Sequence, residues 1–172
     1  GEDWNWFFDQ WYYRGGHPKL EVSYSYDDAR QVMTVKAVQA QSDSAGLYRL
    51  PLKAQLIAGN AVSETDWLVA KKEEVFSYPY IKGQRPVFVP DARHWMPGEL
   101  KDKKTAAQWK QQYLHAGDYL SKRLALTACA ALKNNDTAMQ VFDLPLDDKD
   151  PALRSMAISI KVSEGKKGIP PS

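Results

Sequence analysis

In the stretch DWNWFFDQWYYRGGHP, residues 3–18, Trp4, Phe7, Phe8 and Trp11 recur at i, i+3, i+4 and i+7, so a helix would carry all four on one stripe. Asp3 stands where an N-cap would accept hydrogen bonds from the first free amides, and Gly15 and Gly16 tolerate the left-handed conformation that ends a helix. The spacing predicts a helix of about three turns, too short to be stable alone in water. Its apolar stripe needs a body to lie against.

After Pro18 the period changes from helical to alternating. Leu20, Val22, Tyr24 and Tyr26 fall on one face and Glu21, Ser23 and Ser25 on the other, the pattern of a half-buried strand. DDARQ reads as a hairpin connection, after which Val32, Thr34, Lys36 and Val38 alternate against Met33, Val35 and Ala37. Strand-like runs follow at Tyr48–Ile57, Trp67–Ala70, Val75–Tyr78 and Pro86–Val89, separated by Gly, Asn, Pro and Asp. This spacing predicts a small antiparallel β-sandwich, with strands from residue 18 to about 92.

From Thr105 onward the pattern is helical. Thr105 is placed to cap a helix carrying Ala106, Trp109, Tyr113 and Leu114, which Gly117 breaks. Asp118 opens a second, Ala- and Leu-rich helix, Tyr119–Lys133, with Asn134 and Asn135 closing it. A third, Thr137–Phe142, stops before Pro145, and DKDPALRSMAISIKV starts a fourth with Asp150 as N-cap and Pro151 in the first turn. GKKGIPPS reads as a frayed tail. Short helices joined by tight turns follow the plan of an α-solenoid. The fold class expected is therefore α+β, an antiparallel β-sandwich followed by short antiparallel helices.

Composition narrows the function. With 172 residues and 44% hydrophobic positions the chain can bury a real core, and 23 basic against 21 acidic residues give no field to gather nucleic acid. Lys101–Lys104, interrupted by Asp102, reads as a solvated loop and helix lead-in. Cys129 is the single cysteine, so no intrachain disulfide forms, and Ala128, Ala130 and Leu132 around it mark a buried helix position. No apolar run approaches the roughly 20 residues of a membrane span, and no signal-peptide pattern is present. Gly1 reads as a remnant of cloning, and an aromatic helix directly after it reads as the start of an excised piece of a longer chain.

Candidate chemistry is sparse. His17, His94 and His115 each stand alone, without H-E-x-x-H or paired ligands, so no zinc or calcium site is expected here. His17 reads as a turn residue, and His94 and His115 as surface or interface residues. RGGHP leads into no helix and so makes no phosphate loop, and no G-x-S-x-G turn presents a serine nucleophile. The acidic pairs Asp27–Asp28, Glu73–Glu74 and Asp147–Asp148 read as solvated turns. The aromatics Tyr24, Tyr26, Trp67, Tyr78, Tyr80 and Phe88 could stack on sugar rings if exposed, but alternation sends most of them into the core.

Several of these words resemble a known family. Phe7, Phe8, Gln10 and Trp11, then Gly16, His17 and Pro18, then Leu20 and Val22 are similar to the segment that closes the catalytic domain of M1-family zinc aminopeptidases and enters their β-sandwich. KKTAAQWKQQYLHAGDYLSKRLALTACAAL resembles the opening of the HEAT-like helical domain in a bacterial branch of that family. DPALRSMAI, with Asp150, Pro151, Arg154 and Ala157, resembles a HEAT-type helix.

The resemblance implies residues 1–17 as the terminal helix of a missing catalytic domain, 18–100 as the β-sandwich domain and 101–172 as the start of a HEAT-like helical domain. The family's H-E-x-x-H, its G-A-M-E-N loop and its catalytic tyrosine match no position here. Catalytic and metal residues are therefore none, cofactors none, and zinc is expected in the missing domain. Trp4, Phe7, Phe8, Trp11, Gly16, His17 and Pro18 are the expected interdomain packing residues. The implied function is a non-catalytic spacer between the parent's catalytic and helical domains, its partners. Peptide substrate would be met only through the parent. A protein- or glycan-binding module of an inactive aminopeptidase-like scaffold is the alternative. An uncovered aromatic stripe would also favour self-association.

Overall fold

The computed structural model describes residues 4–132 and 135–167, with side chains of the last helix described through Ser163. Asp3 as N-cap, Lys133 and Asn134 at a helix end, and the tail from residue 168 lie outside the described residues. The chain divides into two compact units, Gly1–Lys103 and Lys104–Ser172.

The first unit is a two-sheet sandwich. One sheet has strands β1 (Lys19–Asp27), β2 (Val32–Gln39), β5 (Glu73–Pro79) and β7 (Glu99–Asp102), ordered β5-β2-β1-β7. The other has β3 (Leu50–Ala58), β4 (Ala61–Val69) and β6 (Val87–Val89), ordered β4-β3-β6. Register follows the alternation: Val22 lies opposite Ala37, Tyr24 opposite Val35 and Tyr26 opposite Met33, so one set of side chains faces inward. Leu20, Val22, Met33, Val35 and Ala37 of the first sheet meet Leu50, Leu52, Ala54, Trp67, Val69 and Phe88 of the second in one core. Each large aliphatic side chain buried there contributes roughly 1.5–3 kcal/mol.

Two strands depart from the sequence reading. β7 is parallel to β1, pairing Lys19 with Glu99 through Val22 with Asp102, so the first sheet is mixed. Lys101 and Asp102, expected as part of a solvated loop, belong to this strand, whose four residues are too few and too polar to show an alternating apolar period. β4 begins at Ala61, well before Trp67, because its first half, Ala61–Asp66, is largely exposed and shows no apolar period. A two-residue turn joins β3 to β4, with Gly59 at φ 59° in its first position.

The N-terminal segment is also not the single helix expected. Helix α1 (Asn5–Phe8) makes one turn and then widens into a π-helical stretch, Asp9–Tyr13. Arg14 is already extended, so the segment ends before Gly15 and Gly16. A π turn takes more residues per revolution and shifts everything after it off the 3.6-residue stripe. Gln10 becomes the buried residue, while Trp4, Phe7 and Phe8 remain 52%, 40% and 53% exposed.

The second unit holds α2 (Ala106–His115), α3 (Tyr119–Ala131), α4 (Asp136–Val141) and α5 (Pro151–Lys167), with a 3-10 turn at Leu144–Asp147. Thr105 and Gln108 form a reciprocal capping box, and Asp118 accepts from the Ser121 amide at 2.8 Å. Asn135 does not close α3; its side chain caps α4 by accepting from Ala138 at 3.0 Å. Asp150 accepts from the Ala152 amide at 2.8 Å ahead of Pro151, as its position predicted. Trp109, Tyr113, Leu126, Cys129, Val141, Phe142, Leu153 and Ala157 form this unit's core. α5 runs on through Lys167 and takes in the first residues expected as tail.

Candidate functional site

Nothing in the stretch Gly46–Arg49 has a strand partner, so its polar backbone groups need other partners. Three glutamines supply them. Gln39, fully buried, donates to the Tyr48 carbonyl at 2.7 Å and accepts from the Tyr48 amide at 2.9 Å. Gln41 donates to the Gly46 carbonyl at 2.8 Å and to the Gln39 side-chain oxygen at 2.9 Å, and accepts from the Lys19 amide at 3.2 Å. Gln10 meets Arg49 from the other side, donating to its carbonyl at 3.1 Å and accepting from its amide at 2.6 Å.

That last pair docks the aromatic segment on the sandwich. Trp11 packs on Tyr48 with ring centroids 5.3 Å apart, Arg14 donates to the Leu47 carbonyl at 2.7 Å, and the Arg49 guanidinium lies 4.7 Å from the Trp6 ring centre. Strand parity puts Pro51 on the same edge as Arg49 and Lys53. Arg49 is taken by Gln10 and the Lys53 carbonyl by the Ala92 amide at 2.7 Å. A proline, with no amide to offer, therefore sits between the two capped positions and blocks pairing there.

Beside Pro51 opens an apolar groove of about 390 Å³, lined by Trp6, Phe7 and Trp11 of the N-terminal segment, Leu50 and Leu52 of β3, and Trp95 and Pro97. Asp91 sets the Trp95 wall. Its backbone is left-handed at φ 48°, and its buried carboxylate accepts from the Trp95 amide at 2.8 Å and the Met96 amide at 3.0 Å. From the groove wall at Trp6 and Phe7 a chain of ring contacts runs on to Trp4 and Phe8, with Phe7 and Phe8 centroids 5.8 Å apart.

The seven residues singled out from sequence stand in different surroundings. Trp4, Phe7 and Phe8 face outward as an exposed ledge, whereas Trp11 packs inward on Tyr48. Gly16, at φ 97°, lies where a side chain would meet the Ala45 Cβ at 3.1 Å. Pro18 is buried, and its carbonyl accepts from the Glu99 amide at 2.9 Å. His17 Nε2 lies in hydrogen-bond contact with the Glu99 carboxylate at 2.7 Å, and Lys19 makes an ion pair with the same carboxylate at 2.9 Å. Hydrogen bonds from His17 first, and then Lys19, hold the Glu99 carboxyl below its usual range.

Trp6, Gln39, Gln41, Asp91 and Trp95 were not singled out. A signal existed for two of them: Gln39 and Gln41 continue the inward parity of Met33, Val35 and Ala37, where a polar side chain must have a buried partner.

Among the described residues no three His, Cys, Asp or Glu side chains gather as metal ligands, so no donor set here fits a zinc ion. Cys129 is buried, and burial pushes its thiol up to about 11, which keeps it unreactive at neutral pH. No helix among the described residues is long and apolar enough to cross a membrane. Of the β-region aromatics, Trp67 and Phe88 are buried and Tyr24, Tyr26, Tyr78 and Tyr80 pack half-buried against the core.

No family model matches the sequence, and no curated protein matches it. The fold is similar to part of a solved structure, Legionella pneumophila aminopeptidase A in complex with aspartic acid, with 13% identity and a TM-score of 0.58. The match covers 84% of this chain and 18% of that one, so the chain spans under a fifth of its neighbour's length.

Proposed function

We propose that this chain is a non-catalytic region of an aminopeptidase-like protein of the M1 type. In this reading its sandwich holds a catalytic domain and a helical domain at a fixed separation. The observation that carries the reading is the exposed aromatic ledge. Gln10 and Trp11 fasten the segment to the sandwich while Trp4, Phe7 and Phe8 stand out beside an apolar groove. A contiguous exposed patch of this kind marks a surface that another body covers. The partner in this reading is the catalytic domain of the parent chain.

The likeness to a slice of a longer aminopeptidase supports the same reading at the level of fold. In the second unit Leu120 and Leu124 on α3 and Ile158 and Val162 on α5 are exposed at one-turn spacing, where further helices of a solenoid would pack. The mechanism is geometric: a spacer sets the width of the chamber through which peptides reach a catalytic centre carried elsewhere, and zinc and the reacting groups belong to that other domain.

The test is an assay of the isolated chain with zinc and a panel of aminoacyl reporter substrates. The expected result is no stoichiometric zinc and no turnover. Tight zinc binding together with turnover would overturn the proposal.

A further inference from the structure

Away from the aromatic ledge, the hairpin between β1 and β2 and the loop after β5 enclose a second pocket, of about 520 Å³, lined by Asp28, Tyr80, Lys82, Gly83 and Arg85. The Asp28 carboxylate accepts from the Tyr80 hydroxyl at 2.6 Å, from Arg85 Nε at 2.9 Å, and from Arg85 Nη2 in a two-point pair. The Arg85 guanidinium also lies 5.3 Å from the centre of the Tyr26 ring, and Tyr26 and Tyr80 meet edge to face at 6.1 Å. The Arg85 bond first, and then the Tyr80 bond, bring the Asp28 carboxyl down to about 2, so it is ionised at any ordinary pH.

The pair keeps unused hydrogen-bonding capacity. Asp28 Oδ1 takes two donors and Oδ2 takes one, leaving an open acceptor site. Two of the guanidinium's five N–H donors are used, leaving the rest. An acceptor and donors fixed side by side suit hydroxyl groups, which give and receive at once. A bare anion could use only the donors and would meet Asp28 as a like charge.

Lys82, in the same pocket, has no carboxylate partner among the described residues. Two cations against one carboxylate leave an excess of one positive charge. Tyr80 also lines the pocket, and an aromatic ring is a surface on which sugar rings can stack; the volume is within the range of small-ligand sites.

We propose that this pocket binds an acidic sugar, a pyranose bearing a carboxylate, with hydroxyls on the Asp28–Arg85 pair, the ring against Tyr80 and the carboxylate on Lys82. The proposal is independent of the spacer reading, because none of its residues belongs to the aromatic ledge.

The test is amide chemical-shift titration of the full chain with methyl glucuronide, methyl glucoside and acetate. The expected result is saturable shifts at Asp28 and residues 80–85 with the glucuronide, roughly two- to fivefold weaker binding of the glucoside, the range that loss of one exposed ion pair gives, and no saturation with acetate. K82A, at an exposed side chain with no ion pair among the described residues, should lower glucuronide affinity to the glucoside level. R85K keeps the charge but loses the fork and should weaken both sugars. No saturable response to the glucuronide, equal shifts with acetate, or unchanged affinity in K82A or R85K would overturn the proposal.

Discussion

Gln10 meets both backbone groups of Arg49, donating at 3.1 Å and accepting at 2.6 Å, as a neighbouring strand would. A single side chain thus stands in for a sheet partner and fixes the aromatic segment to the sandwich edge. Gln10→Ala leaves the Arg49 amide and carbonyl without partners and should cost about 1–3 kcal/mol. Gln10→Glu should also destabilise, since a carboxylate accepts from the amide but cannot donate to the carbonyl. Urea unfolding followed by tryptophan emission checks both; wild-type stability in either variant would show that the pairing does not hold the segment.

Gly98 passes so close to Pro18 that an added Cβ would lie 2.3 Å from the Pro18 carbonyl oxygen. That oxygen also receives the Glu99 amide that starts the β1–β7 pairing. Gly98→Ala must push the two chains apart and should cost about 3 kcal/mol. Gly15 has nothing within 4 Å of the same position, and Gly15→Ala should stay within about 0.5 kcal/mol of wild type. The two melting temperatures, measured side by side, test the contrast.

Asp148 ties the second unit together. Its carboxylate accepts from Lys122 at 2.5 Å, Tyr113 at 2.9 Å and the Asp150 amide at 3.0 Å, and its carbonyl from Arg154 at 2.6 Å. Hydrogen bonds from Lys122 first, then the Asp150 amide, bring its carboxyl down from 3.8 to about 2. A carboxyl depressed by folding contributes stability above its unfolded value, and that stability is lost as pH falls from about 4 through 2. Asp148→Asn should flatten this acid dependence, in part only, because Asp28, Glu21 and Glu99 are depressed as well. Helical circular dichroism across urea titrations from pH 5 to 2 reads the difference; parallel wild-type and variant curves would refute it.

Cys129 should resist a thiol reagent in the folded chain and label fully in urea, because burial both hides the sulfur and raises its ionisation. Rapid labelling under native conditions would show that the helical core around Leu126 and Phe142 opens readily.

The exposed ledge predicts a concentration-dependent association of the isolated chain, which Phe7→Ser with Phe8→Ser should suppress. Sedimentation velocity of the two proteins checks this. Equal behaviour would mean that the ledge is not an adhesive surface.

What could be read from the residues follows from how local the governing interaction is. β1 and β2 were legible because their alternation and their pairing agree, and Thr105, Asp118 and Asp150 because a cap lies within one turn of the amides it serves. β7 was not, because a parallel strand pairs with a distant partner and its own four residues carry no apolar period. The π turn defeated the helical stripe: one widened turn moves Trp11 inward and leaves Phe8 outside, and contacts with residues distant in sequence, Gln10 with Arg49 and Trp11 with Tyr48, hold that arrangement. The groove depends on Asp91 and Trp95, which come together with Trp6 only in the folded unit.

The central claim, that the ledge of Trp4, Phe7 and Phe8 is covered by a catalytic domain, is tested most directly by reading the coding region upstream of the codon for Glu2. The account expects H-E-x-x-H and a third carboxylate ligand in frame, as zinc hydrolysis requires. A reading frame that opens near Glu2, or an upstream region without those histidines, would contradict it.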